Sequence, residues 1–205
     1  MILASDWLAF HADRTPDKLA AIDQITGRRF TYAEFNDRAA RLAAYLKTAW
    51  EVQLGDRLAI LAKNSTEYFE FQFACVKLGA MMLPLNWRLA EPELLFILQD
   101  AGAKGIVYDA EFQARIPHLC NGFGEIGQLR IDAVQRGSDD APVYEDVLTA
   151  TTDRTVMNPH TTHDTPMTIM YTAGTTGHPK GVLITHGMTL WNAINISTPA
   201  GLSCH

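Results

Sequence analysis

A chain of 205 residues with 47% apolar and 20% charged residues has ordinary globular composition, long enough for one large domain or two small ones. Its net charge of −6, without any run of Lys and Arg, argues against a general nucleic-acid surface. The three cysteines, Cys75, Cys120 and Cys204, are widely spaced and odd in number, which excludes a disulfide framework or a zinc spacing and fits idle thiols in a reducing cytoplasm.

Residues 1–10 have no basic leader region and carry Asp6, so they do not read as a signal peptide. Ser5 or Asp6 is placed to cap a short helix over residues 7–12 that stops before Pro16. Residues 19–23 and 28–30, with Gly27 between them, predict a small hairpin. Thr31, with Glu34 three residues on, forms a capping box. The helix it opens places Phe35, Ala39, Leu42 and Leu46 on one stripe and Arg38, Arg41 and Lys47 off it, which is the pattern of a scaffold helix with one buried face.

Residues 57–63 contain a buried-strand pattern. Asn64, with Glu67 three on, is the expected start of a helix that runs to about Leu78, with Gly79 as its left-handed stop. Tyr68, Phe69, Phe71 and Phe73 spread around that helix, so it is expected to be buried on most sides, its aromatics serving as core. A strand over 81–85 follows. A helix over 91–100 has Pro92 in its first turn and Gly102 just past its end, and a strand over 104–108 closes the run. The alternation of strand and helix predicts an α/β fold with a mostly parallel sheet flanked by helices.

From Asp109 to Asp164 the pattern weakens, with Gly122, Gly124, Gly127 and Gly137 interrupting it. Residues 126–131 are a candidate strand and 143–148 a candidate short helix. Residues 149–166, rich in Thr, Asp, His and Pro, read as a surface linker. Within it, His160, His163 and Asp164 form the one cluster of metal-ligating residue types, and solvated loop residues are their plainer reading. Residues 181–205 lack charged side chains, but their many Thr, Asn, Ser and His residues, with Pro199 and Gly201, do not read as a membrane span.

The most informative stretch is Tyr171-Thr172-Ala173-Gly174-Thr175-Thr176-Gly177-His178-Pro179-Lys180-Gly181-Val182. Apolar runs enter and leave it, so it reads as strand, loop, strand. Glycines let backbone N–H groups approach an anion, successive N–H groups make an anion-binding concavity, threonine hydroxyls add donors, and Lys180 adds a point charge. These are the requirements of polyphosphate binding. A Walker P-loop needs Gly before the Lys, Ser or Thr after it, and then a helix; here Pro179 precedes, Gly181 follows and a strand is expected. Gly174 and Gly177 have no third glycine at dinucleotide-fingerprint spacing. An ordinary hairpin loop is shorter and calls for neither the Thr pair nor the Lys. His186, just past the second strand, is a secondary candidate beside the loop.

The stretch resembles the phosphate-binding signature of the adenylate-forming superfamily, which includes acyl-CoA synthetases, peptide-synthetase adenylation domains and luciferases. It departs at Ala173, where Ser is common, which removes one hydroxyl. Residues 30–46 resemble the family's first, structural segment. Lys77-Leu78-Gly79-Ala80 with Pro84-Leu85-Asn86-Trp87-Arg88-Leu89 is similar to the acyl-CoA synthetase branch, and Arg88 is read as a structural hydrogen-bonding residue beside the sheet.

The resemblance implies an ATP-dependent carboxylic acid–CoA ligase, with fatty acids as the leading substrate class, acting through an acyl-adenylate, with Mg2+ and coenzyme A. Thr172, Ala173, Gly174, Thr175, Thr176, Gly177 and Lys180 would form the ATP phosphate clamp, with Thr175 the magnesium contact. It also implies a division into an α/β core over 1–148, a linker over 149–166 and a phosphate-loop hairpin over 167–186. The adenine and acyl pockets, the remaining catalytic groups and a mobile C-terminal domain are expected beyond His205, so this stretch alone is expected to lack ligase activity. The expected partner is a small carboxylic acid, in the cytoplasm, without nucleic acid or an integral membrane segment; a homodimer is left open. Two other classes stay open: a phosphate-binding enzyme such as a kinase, for which Tyr108-Asp109 is the nearest Walker-B-like acid, and a non-catalytic module that retains the loop.

Overall fold

The computed structural model describes residues 2–122, 126–132, 137–154, 158, 160–172, 179–197 and 199. Asp6 caps helix α1 (Trp7–Arg14), its Oδ1 accepting from Ala9 N at 3.0 Å. Strands β1 (Leu19–Ile22) and β2 (Arg29–Thr31) form the small hairpin, turned by Gly27 at φ +72°. The capping box then opens α2 (Tyr32–Ala49) as expected: Glu34 N donates to Thr31 Oγ1 and Thr31 N to Glu34 Oε2.

The central sheet has six strands in the order β6-β5-β3-β4-β7-β8. These are β3 (Arg57–Leu61), β4 (Met81–Pro84), β5 (Ala103–Asp109), β6 (Gly127–Ile131), β7 (Pro166–Thr172) and β8 (Lys180–Thr185). The pairs β3–β4, β3–β5, β5–β6 and β4–β7 are parallel; only β8 runs antiparallel, as the return strand of a hairpin with β7. The expected mostly parallel α/β architecture is therefore present.

Period-two alternation on β3 divides the core. Leu58 and Ile60 face α2, α3 (Thr66–Leu78) and α6 (Tyr144–Ala150), joining Leu42, Leu46, Phe71, Cys75 and Leu148. Ala59 and Leu61 face the other way, onto Leu94, Ile97 and Leu98 of α4 (Glu91–Ala101) and Ile116 and Leu119 of α5 (Ile116–Asn121). Gly79 and Gly102 stop α3 and α4 in the left-handed region, at φ +69° and +62°. Helix α7 (His186–Ser197) follows β8 directly.

Several expectations are corrected. Ser65, not Asn64, caps α3, accepting from Tyr68 N at 3.2 Å. Phe69 on that helix is half exposed, while Glu67, Glu70 and Lys77 are buried. Their partners are distant in sequence. Arg28 pairs with Glu67; Arg38 Nε donates to Glu70 at 2.6 Å, and Tyr144 Oη donates to the same carboxylate at 2.9 Å; Lys77 Nζ donates to Asp6 at 2.6 Å and Asn36 at 2.7 Å. Gly127 does not break the chain but starts β6, in register with Gly105 on β5, and the two bare backbones form a slot for the Trp50 indole. A 3-10 turn (Ala110–Arg115) and α5 occupy the stretch where the sequence pattern is weak. Residues 149–166 are not simply solvated: Thr161 is buried, Thr162 bridges to Leu3, and Asn158 N donates to Lys77 O.

Candidate phosphate-binding site

Chain direction fixes where the two flanks of the loop lie. β7 runs parallel to β4, so its last residue, Thr172, reaches the edge where the parallel strands end. That edge is where open α/β sheets form their ligand crevices. Thr172 and Lys180 are partners in register, both exposed, and they form the two ends of the loop. Ala173, Gly174, Thr175, Thr176 and Gly177, together with His178, lie outside the described residues. The structure thus brings Thr172 and Lys180 together as partners across the β7–β8 hairpin.

The strands that present the loop are held by identifiable contacts. Ile169 and Tyr171 pack towards the α4 side of the sheet, and Tyr171 Oη donates to Asp100 Oδ2 at 2.5 Å. Burial, and then the Asp100 carboxylate, push the Tyr171 phenol up, so it stays a neutral donor. Gly181 faces Tyr171 across the hairpin; a Cβ there would lie 2.9 Å from Ile169 Cδ1 and 3.1 Å from Tyr171 Cζ.

Helices α3 and α4 leave β3 and β4 towards opposite faces of the sheet, which opens a crevice at the ends of these two strands. Its rim holds Lys63, whose Nζ donates to Glu111 at 2.7 Å and lies 5.2 Å from the Trp87 ring centre. The Arg88 guanidinium lies 4.0 Å from the same centre and is held by stacking, and among the described residues its side chain makes no hydrogen bond. Asp109 accepts from Lys63 N at 2.8 Å, and burial pushes its carboxyl up to about 6.

His186 does not sit beside the loop. It follows β8 at the end opposite Lys180, roughly 20 Å away at the usual rise of an extended strand. It is buried next to His163, burial pushes its pKa down, and its Nε2 has no hydrogen-bond partner among the described residues. His163 serves through its backbone: its N donates to Ile2 O, and Gly187 N donates to its O. Among the described residues no group of three or more His, Cys, Asp or Glu side chains is placed to hold a metal. No described helix is long and apolar enough to cross a membrane.

A mostly parallel α/β sheet whose β7–β8 hairpin pairs Thr172 with Lys180 at the strand-end edge belongs to the open α/β class that binds ligands at that edge. The family profile described as "AMP-binding enzyme" matches residues 8–204, and the chain belongs to that family, on its acyl-CoA ligase branch. It is 35% identical over 191 residues to the indoleacetate–CoA ligase of Aromatoleum aromaticum, which covers 93% of this chain and 36% of that protein. It is 38% identical over 172 residues to the long-chain-fatty-acid–CoA ligase FadD13 of Mycobacterium tuberculosis, covering 84% and 33%. A solved long-chain-fatty-acid CoA ligase from Rhodopseudomonas palustris superposes with a TM-score of 0.83 at 27% identity, over 96% of this chain and 47% of that one. The inhibitor-bound N-terminal domain of FACL13 from M. tuberculosis gives 0.76 at 35% identity, over 90% and 45%. The chain thus spans about a third of the length of these curated relatives.

Proposed function

We propose that the chain is the phosphate-binding part of an ATP-dependent carboxylic acid–CoA ligase that works through an acyl-adenylate. The observation that carries the reading is the pairing of Thr172 with Lys180 at the strand-end edge, at the two ends of the loop. A carboxylate oxygen attacks the α-phosphorus of ATP, and the bond from that phosphorus to the pyrophosphate oxygen breaks. The negative charge gained by the leaving pyrophosphate is met by Lys180, by the hydroxyls of Thr172, Thr175 and Thr176, and by backbone N–H groups at Gly174 and Gly177. Positioning and charge stabilisation of this kind dominate phosphoryl-transfer catalysis. The hydroxyl of Thr175 is a hard oxygen donor suited to magnesium and would hold the ion on the phosphates. Coenzyme A then displaces AMP through its thiol.

Fatty acids lead the proposed substrate class, since the relatives include a long-chain-fatty-acid ligase. Indoleacetate and ferulate are the acids named for other relatives and belong in the same panel. We place the reaction in the cytoplasm. The test is carboxylate-dependent ATP–pyrophosphate exchange by the product of the full reading frame. Exchange confined to particular acids supports the reading and names the substrate, and Lys180→Ala should depress it. A well-folded full-length protein that exchanges with no acid overturns it.

A further inference from the structure

The strand leading into the proposed phosphate loop joins β4 through little backbone pairing. β7 and β4 share one registered pair, Met82 with Thr168, whereas β7 and β8 pair along their length. The cause lies in the sequence of β4. Met81 N donates to Asp56 O at 2.7 Å and Leu85 N to Ile60 O at 2.9 Å, both towards β3. Successive residues of a strand point their backbone groups to opposite sides, so Pro84 turns its nitrogen towards β7. That nitrogen carries no hydrogen, and the ladder stops. Beyond Thr168, no further β4–β7 pair is registered, and the segment that ends at Thr172 is paired with β8 and packs side chains towards α4. Tyr171 is the last of these. Its ring lies against Gly181, where an added Cβ would come within 3.1 Å of Tyr171 Cζ, and its hydroxyl reaches Asp100.

We propose that Tyr171 and Asp100 form a latch that sets the position of the phosphate loop, with both acting as positioning residues for MgATP. The proposal rests on the ATP-dependent reading above. The hydrogen bond joins the residue next to Thr172 to the last turn of α4, which is itself anchored in the core by Leu94 and Leu98. It therefore ties the loop's entry strand to the rigid part of the fold at the point where the backbone ladder has ended.

Steady-state kinetics on the full-length enzyme test this. Tyr171→Phe and Asp100→Ala should each raise KM for MgATP about three- to tenfold, the range of one hydrogen bond, with KM for the acid unchanged. Asp100→Asn keeps an acceptor oxygen and should stay close to the parent. The double variant Tyr171→Phe/Asp100→Ala should be no worse than either single, because the two act through one bond. Additive effects, or a parental KM in Asp100→Ala, overturn the latch. If the parent protein shows no acid-dependent exchange, the functional reading fails, and amide hydrogen exchange over residues 169–172 then decides the latch. Faster exchange in Tyr171→Phe and Asp100→Ala but not in Asp100→Asn sustains it, and unchanged exchange in all three overturns it.

Discussion

Replacing Asp109 with Asn should make the protein more stable at neutral pH. Asp109 ends β5 at the strand-end crevice, and burial pushes its carboxyl from 3.8 up to about 6. The hydrogen bond from Lys63 N opposes that rise, and the nearby Glu111 and Glu67 charges add to it. Because the folded pKa is raised, between pH 4 and 6 the folded chain holds a proton that the unfolded chain has released, so this group's contribution falls as pH rises through that window. At full weight a shift of about two units is worth roughly 3 kcal/mol; solvent reaches part of this carboxyl, which reduces the expected cost of ionisation to about 1 kcal/mol. Asn keeps an oxygen that can accept from Lys63 N and never ionises. Urea unfolding of the parent and of Asp109→Asn at pH 4 and pH 7 measures the effect. The variant should gain about 1 kcal/mol on the parent at pH 7, roughly 0.5 M in midpoint at an m-value near 2 kcal/mol/M, and little at pH 4. A variant that keeps the parent's pH slope, or is less stable at pH 7, refutes the reasoning.

Other perturbations have equally direct readouts. Lys77→Met strands the buried Asp6 carboxylate and should cost about 3 kcal/mol in chemical denaturation, with Asp6→Asn in the same chain recovering part of the loss. Glu70→Ala leaves the Tyr144 hydroxyl without its acceptor and removes one carboxylate from Arg38; a loss of about 3 kcal/mol is expected, with earlier proteolysis at α6. Gly127→Ala drives a Cβ to 2.3 Å from Trp50 Cε2, so its melting temperature should drop, and a smaller residue in place of Trp50 should reduce that drop.

The elements that were legible in the sequence are those whose signals are local. The Thr31–Glu34 box and the stops at Gly79 and Gly102 involve residues within one turn of each other, and each took the predicted form. The strands flanking the Thr172–Lys180 stretch were legible for the same reason, since their apolar runs lie in consecutive residues. The polar half of α3 was not. Nothing near Glu67, Glu70 or Lys77 in the chain marks them as buried, because Arg28, Arg38, Tyr144 and Asp6 come from other elements. Gly127 read as a breaker because its reason for being Gly is a tryptophan ring 77 residues earlier, at Trp50.

By itself, then, the sequence determined the alternation of strands and helices, the boundaries of most of them, and a loop with the composition of a phosphate clamp. Periodicity, capping and turn chemistry act over a few residues, so one chain without its partners suffices to show them. Only the tertiary structure decided that β7 lies beside β4 and runs the same way, which sends Thr172 to the strand-end edge, and that His186 ends up at the opposite edge. It also decided that Pro84 stands where β4 meets β7 and that the Tyr171 hydroxyl meets Asp100. Strand order and the meeting of distant side chains depend on how whole elements pack, and no local pattern encodes that.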